Sequence, residues 1–317
     1  MDDRPPRPTR PRWPRSARVT CAVLAAAVVV LGASLSASAV MAKRSAVAGM
    51  SIAGPSTSAT GTPGPSAGRT PGPVQSGDVR ASARPVPTVD AEQAMVGPLF
   101  PNGLSGSHSC TGTVVASSQG DTVLTAAHCI SGSARGWLFA PGYEKGETPN
   151  GTWTVTGQYV TSAWMHDQSA DDDFAVLTVA PRTIDGRSTT IATAVGAAQV
   201  SATPSARTLI RVIGYNAGRD DAATTCTVPL LRSRAGNPTF FCHGFVGGSS
   251  GSPWLLANAA TRTIVGVIGG RHQGGCTEYT SHSAVFGSAV TALVERASDG
   301  GTPDDVPGAG SDNCPTT

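Results

Sequence analysis

Two short motifs in this chain carry residue types able to do nucleophilic chemistry. Thr125-Ala126-Ala127-His128-Cys129 sets a histidine beside a cysteine after an apolar run. Gly248-Ser249-Ser250-Gly251-Ser252-Pro253 holds serines in a glycine-rich turn, with Ser250 122 residues after His128. A serine hydroxyl is a poor nucleophile near neutral pH, and an imidazole is suited to take its proton there. The imidazole in turn needs a group that fixes its tautomer. Asp171-Asp172-Asp173 runs straight into the apolar Phe174-Ala175-Val176-Leu177. Asp171 and Asp172 read as a solvated loop, whereas Asp173 touches the strand and is the one expected to be desolvated. The candidate roles are therefore His128 as base, Asp173 as its orienting acid and Ser250 as nucleophile. Ser249 and Ser252 are the competing hydroxyls. The backbone N–H groups of Gly248 and Ser250 are the candidates for receiving a developing oxyanion. The five other histidines (His108, His166, His243, His272 and His282) lack such a setting.

These residues need elements to position them. Helical periodicity is scarce, and short β-type segments recur over Asp121–Ala127, Gly151–Val160, Phe174–Ala180, Thr208–Tyr215 and Thr261–Ile268. Clusters of Gly, Pro, Asn and Asp punctuate them. One helix is predicted near the end, with Ala289, Val290, Leu293, Val294 and Ala297 on one face and Ser288 as N-cap. Many short strands with one terminal helix predict an all-β antiparallel barrel or sandwich.

Composition divides the 317 residues into four parts. Residues 1–18 hold six arginines, and an Ala/Val/Leu run follows to residue 42. That pattern is a signal peptide or, if uncleaved, an N-terminal anchor. Residues 43–90 are rich in Pro, Gly and Ser and read as a flexible linker or pro-segment. Residues 91–298 carry the apolar runs of a folded domain, and 299–317 read as a flexible tail. Either reading of the leader puts the domain outside the cytoplasm, secreted or membrane-anchored. The net charge is +2, and the first 18 residues are its most basic stretch. No basic patch with interleaved aromatics exists, so nucleic-acid binding has no support.

Seven cysteines occur, and Cys21 falls in the leader. Six then remain in an oxidising setting. Cys110 with Cys129 is the first expected pair, a bridge worth about 3 kcal/mol in the chain-entropy picture. Cys226 with Cys242 is the next. Cys276 with Cys314 completes the set, with Cys242–Cys276 as an open alternative. No C-x₂-C or H-x₃-H spacing occurs, so neither a metal nor an organic cofactor is expected.

On the motifs around His128, Asp173 and Ser250, the chain resembles the trypsin/chymotrypsin-like serine endopeptidases over about residues 95–297. Ser250-Gly251-Ser252-Pro253, the strand Ile264–Gly270 and Ala284-Val285-Phe286 make it most similar to a secreted bacterial branch related to glutamyl endopeptidases. The resemblance implies two six-stranded antiparallel β-barrels with a C-terminal helix and the triad in the cleft between them. It also implies a monomer acting on protein or peptide substrates. Ser249 stands where animal members have an aspartate, and no Ile-Val-Gly-Gly start occurs, so activation by a new N-terminal ammonium is not expected. Where the glutamyl branch has a histidine, this chain has Ile268. Arg271, His272, His282 and Glu278 are near enough in sequence to line the specificity pocket. The competing reading is a catalytically silent protease fold that serves as a binding module at the cell surface.

Overall fold

A computed structural model describes residues 82–83, 90–217 and 222–315. The expected leader, 1–42, lies outside these residues, as does nearly all of the expected linker, 43–90.

Six strands close into a barrel: Val96–Phe100, Cys110–Val115, Thr122–Thr125, Leu138–Phe139, Trp153–Val160 and Ala175–Val179. Every neighbouring pair is antiparallel. The strand Trp153–Val160 starts with alternating burial, with Trp153 and Val155 inside and Thr154 exposed. The strands Thr122–Thr125 and Ala175–Val179 are buried at every position. Val114, Leu124, Phe139, Trp153 and Leu177 fill the interior with no exposed surface. Full burial of a leucine or phenylalanine here stabilises the fold by about 1.5–3 kcal/mol.

In the second half, Leu209–Gly214 pairs with both Thr224–Pro229 and Pro253–Leu256, and the latter pairs with Thr263–Val267. Ser82–Ala83 adds antiparallel at one edge and Gln199–Val200 parallel at the other. A second sheet contains Leu231–Arg232, Pro238–Phe241 and Thr280–His282. The two sheets meet at the bridge between Ile268 and Ser283. Strand pairing thus closes the first barrel, while the second half is built from a six-stranded and a three-stranded sheet. The ladder narrows to one bridge because Gly269 and Gly270 lead the chain out into the turn Arg271–Gly274. Ile210, Val212, Phe240, Trp254 and Val265 form a separate apolar cluster there.

The C-terminal helix spans Ser288–Ser298 and buries Val290, Leu293, Val294 and Ala297. Gly287, not Ser288, occupies the N-cap position, and no side chain caps the helix start. Ala289 is exposed rather than buried, because it falls in the first turn at the edge of the packed face. Ser298 locks the far end, its hydroxyl 2.8 Å from Ser118 Oγ and accepting from Gln119 N at 3.0 Å.

The segment after this helix, read from composition as flexible, is laid along the barrel. Val306 and Gly132 exchange two backbone hydrogen bonds, of 2.7 and 3.0 Å, and Val306 is 2% exposed. Asp304 accepts from Val160 N at 2.9 Å and pairs with Arg296. A Gly/Pro/Asp segment has little apolar surface to bury, so its order comes from backbone and carboxylate bonds to Gly132, Val160 and Arg296. Among the described residues, no helix is long and apolar enough to cross a membrane.

Candidate active site

The strand Thr122–Thr125 runs out through extended Ala126 into the 3-10 turn Ala127–Cys129 that carries His128. Cys129 is bonded to Cys110, which fixes the turn against the neighbouring strand. Asp173 stands just before the strand Ala175–Val179, at the end of the 3-10 turn Ala170–Asp172. The two strands pair in the register Thr125 with Ala175, so His128 and Asp173 leave the same end of one ladder.

Three N–H groups converge on the Asp173 carboxylate. His128 Nδ1 lies 2.7 Å from Oδ2, Gly270 N donates to the same oxygen at 2.7 Å, and His128 N donates to Oδ1 at 2.9 Å. Asp173 has no exposed surface. A carboxylate can only accept, so Nδ1 is the protonated ring nitrogen and Nε2 is left as the acceptor.

Ser250 sits in a turn whose glycines are sterically required. Gly248 has φ +94°, and a Cβ there would fall 2.2 Å from Ala217 N and 2.9 Å from Tyr215 O. Gly251 has φ +83°, and its Cβ would fall 2.2 Å from Thr111 O. Thr111 ties this turn to the first barrel. Its backbone N donates to Ser250 O at 2.7 Å, and its hydroxyl donates to Gly248 O at 3.1 Å. The Thr111 hydroxyl also accepts from Tyr215 N at 3.0 Å, while Thr125 Oγ1 donates to Thr111 O at 2.8 Å. Neither Gly248 N–H nor Ser250 N–H has an acceptor among the described residues. Two unpaired N–H groups flanking a serine can receive an oxyanion. Ser249 is buried, its hydroxyl donating to Val246 O at 2.7 Å, and Ser252 is buried with its hydroxyl on Ser249 O.

His128 and Ser250 line one cleft of about 560 Å³. Their side chains are not hydrogen-bonded to each other here, and this contact is commonly loose until substrate enters.

Cys226 is bonded to Cys242, and Cys276 to Cys314. Two clusters of ligand-type side chains, Cys110/His128/Cys129 and His272/Cys276/Cys314, have their sulfurs joined in these bridges. Of the residues expected near a specificity pocket, Ile268, His272 and Glu278 line the cleft. Glu278 is paired with His243 Nδ1 at 3.1 Å. Arg271 lines a neighbouring cavity instead. His282 is buried in the strand Thr280–His282, with Nδ1 2.9 Å from Thr239 Oγ1. Burial, with the charges of Arg271 and His272 behind it, pushes His282 down to a pKa of about 4. Sequence reasoning missed Thr111 and Gly270, which join the motifs without belonging to them. Thr125 offered the one signal, since it opens the histidine motif and reaches back to Thr111.

A family model described as trypsin matches residues 89–289. The chain belongs to the trypsin family. No curated protein matches it. Among solved structures, this trypsin-family chain is similar to the protease Anisep from Arthrobacter nicotinovorans at 23% identity and TM-score 0.55, covering 67% of this chain and 98% of that one. It is similar to a Glu endopeptidase at 24% identity and TM-score 0.54, covering 70% and 98%. It is also similar to a mutant of human heparin binding protein at 17% identity and TM-score 0.53, covering 71% and 98%. The trypsin fold thus carries proteins named for binding as well as for cleavage, and the residues of the site must decide between them.

Proposed function

We propose that this chain is an exported serine endopeptidase that hydrolyses peptide bonds through an acyl-enzyme. The observation that carries the reading is the Asp173 carboxylate on His128 Nδ1, in a cleft shared with Ser250. Ser250 Oγ attacks the scissile carbonyl while His128 Nε2 takes its proton. The carbonyl oxygen becomes an oxyanion held by the N–H groups of Gly248 and Ser250. Collapse expels the amine, which leaves with the proton from His128 and gives an ester on Ser250. Water, deprotonated by His128, then attacks that ester, and His128 returns the proton to Ser250 Oγ as the acid leaves. Asp173 keeps the ring in the tautomer that leaves Nε2 free. Three disulfides in one domain support an oxidising compartment, and the leader composition supports export.

Covalent labelling of the folded chain by a fluorophosphonate, together with cleavage of an unfolded protein substrate, tests the reading. Labelling at Ser250 and its loss in Ser250→Ala are the expected results. A folded chain that neither labels nor cleaves is instead the silent binding module.

A further inference from the structure

The residues after the C-terminal helix do more than pack on the barrel. Their last part, Gly308–Cys314, reaches the cleft. Gln168 holds it at two points, donating from Nε2 to Gly308 O at 2.6 Å and accepting from Gly310 N at 2.8 Å. Gln273 Nε2 donates to Gly310 O at 2.7 Å, and His272 Nδ1 lies 2.8 Å from Asp312 O. The bond from Cys314 to Cys276 closes the strap on the cleft wall. Gln168, His272 and Gln273 all have φ near +50°, at 48°, 54° and 50°. Gln168 ends the helix Ser162–Asp167 in the left-handed conformation usual at a helix end, and His272 and Gln273 take the same conformation in the turn Arg271–Gly274, each with its side chain on the strap.

The strap also divides space. Asp312 lines the cleft that contains His128 and Ser250. Together with His272 and Gln273 it also lines a second cavity of about 280 Å³, whose other walls include Trp164 and Arg271. The two cavities therefore share one wall.

Building on the peptidase reading, we propose that the strap Gly308–Cys314 is a wall of the substrate groove, and that the cavity between it and Trp164 takes a part of the peptide substrate remote from the scissile bond. The strap then positions long substrates, and Ser250 chemistry on a short one does not need it. The cavity is lined by Arg271 and the strap residues Gly310–Asn313 beside the nearly buried Trp164, and that mixed lining fits an extended peptide.

The test uses the full chain, a fluorophosphonate, and peptides of two to six residues lengthened separately on each side of the cut. For the unaltered chain, kcat/KM rises with length on one side, by about tenfold or more. In Cys276→Ser/Cys314→Ser that gain shrinks severalfold, with the loss in KM for the longer peptides. Gln168→Gly removes both side-chain bonds at a position where glycine suits the backbone, and it carries the test where the cysteine variant misfolds. An unchanged length dependence in folded variants, or none in the unaltered chain, overturns the proposal. Folded variants that no longer label at Ser250 also overturn it, because the strap is then required by the chemistry itself. An unaltered chain that fails to label removes the peptidase reading and this proposal with it.

Discussion

The N–H of Gly270 donates at 2.7 Å to Asp173 Oδ2, the same oxygen that faces His128 Nδ1. One residue from the second half thus holds the orienting group of a histidine in the first. An Asn at 173 offers one oxygen and one NH₂ group to three N–H donors. It cannot accept from all of them, and its NH₂ group stabilises the wrong ring tautomer. Asp173→Asn is expected to fold and to lose about four orders of magnitude in kcat. The rate of fluorophosphonate labelling, read alongside the melting temperature, checks this. A loss of only a few fold would mean that Asp173 does not orient the base.

Thr111 is expected to matter to both stability and turnover. Thr111→Val keeps the shape but leaves Gly248 O and Tyr215 N without their buried partner. The cost is about 2–4 kcal/mol, read by denaturant unfolding. Thr111→Ser restores the hydroxyl and recovers most of it. Equal stabilities of the Val and Ser variants would show that the hydroxyl is idle.

The Ser249 hydroxyl makes only a local bond, to Val246 O. Ser249→Ala should cost about 1 kcal/mol and leave kcat/KM within about threefold. Complete loss of turnover would refute the view that this position takes no part in activation.

His282 gives the fold an acid sensitivity. Its pKa is pushed down to about 4, from an ordinary value of 6.5. The unfolded chain therefore binds a proton below pH 6.5 that the folded chain refuses until about pH 4. The stabilisation is complete above pH 6.5 and falls as the pH drops through that window, by on the order of 3 kcal/mol. His282→Gln should flatten the melting temperature between pH 6.5 and 4. A profile as steep as that of the unaltered chain would place the acid sensitivity elsewhere.

What could be read from residues alone follows from how local each feature is. The apolar runs that become Thr122–Thr125 and Ala175–Val179 are visible because every position in them is buried. Pro238–Phe241 was not visible, since it is four residues long and begins on a proline. The short helix Ser162–Asp167 buries only Trp164 and shows no period to detect. At the candidate site, His128 and Ser250 sit in motifs with their own turn chemistry. Thr111 and Gly270 act across the fold, the latter over 97 residues, and nothing near them in sequence points to their partners. The strap is not legible in composition for the same reason. Gly, Pro and Asp signal a loose tail only where nothing elsewhere in the fold bonds them.

The strap has a consequence for the order in which the molecule is completed. Synthesis runs from the N-terminus, so His128, Asp173 and Ser250 all emerge before Asp312 and Cys314. Cys276 waits for a sulfur 38 residues downstream, and the bond needs an oxidising compartment. Until that bond forms, the cleft that His128 and Ser250 line lacks the covalent tie beside Asp312. The last covalent link of the fold therefore closes only after every residue of the candidate site has emerged.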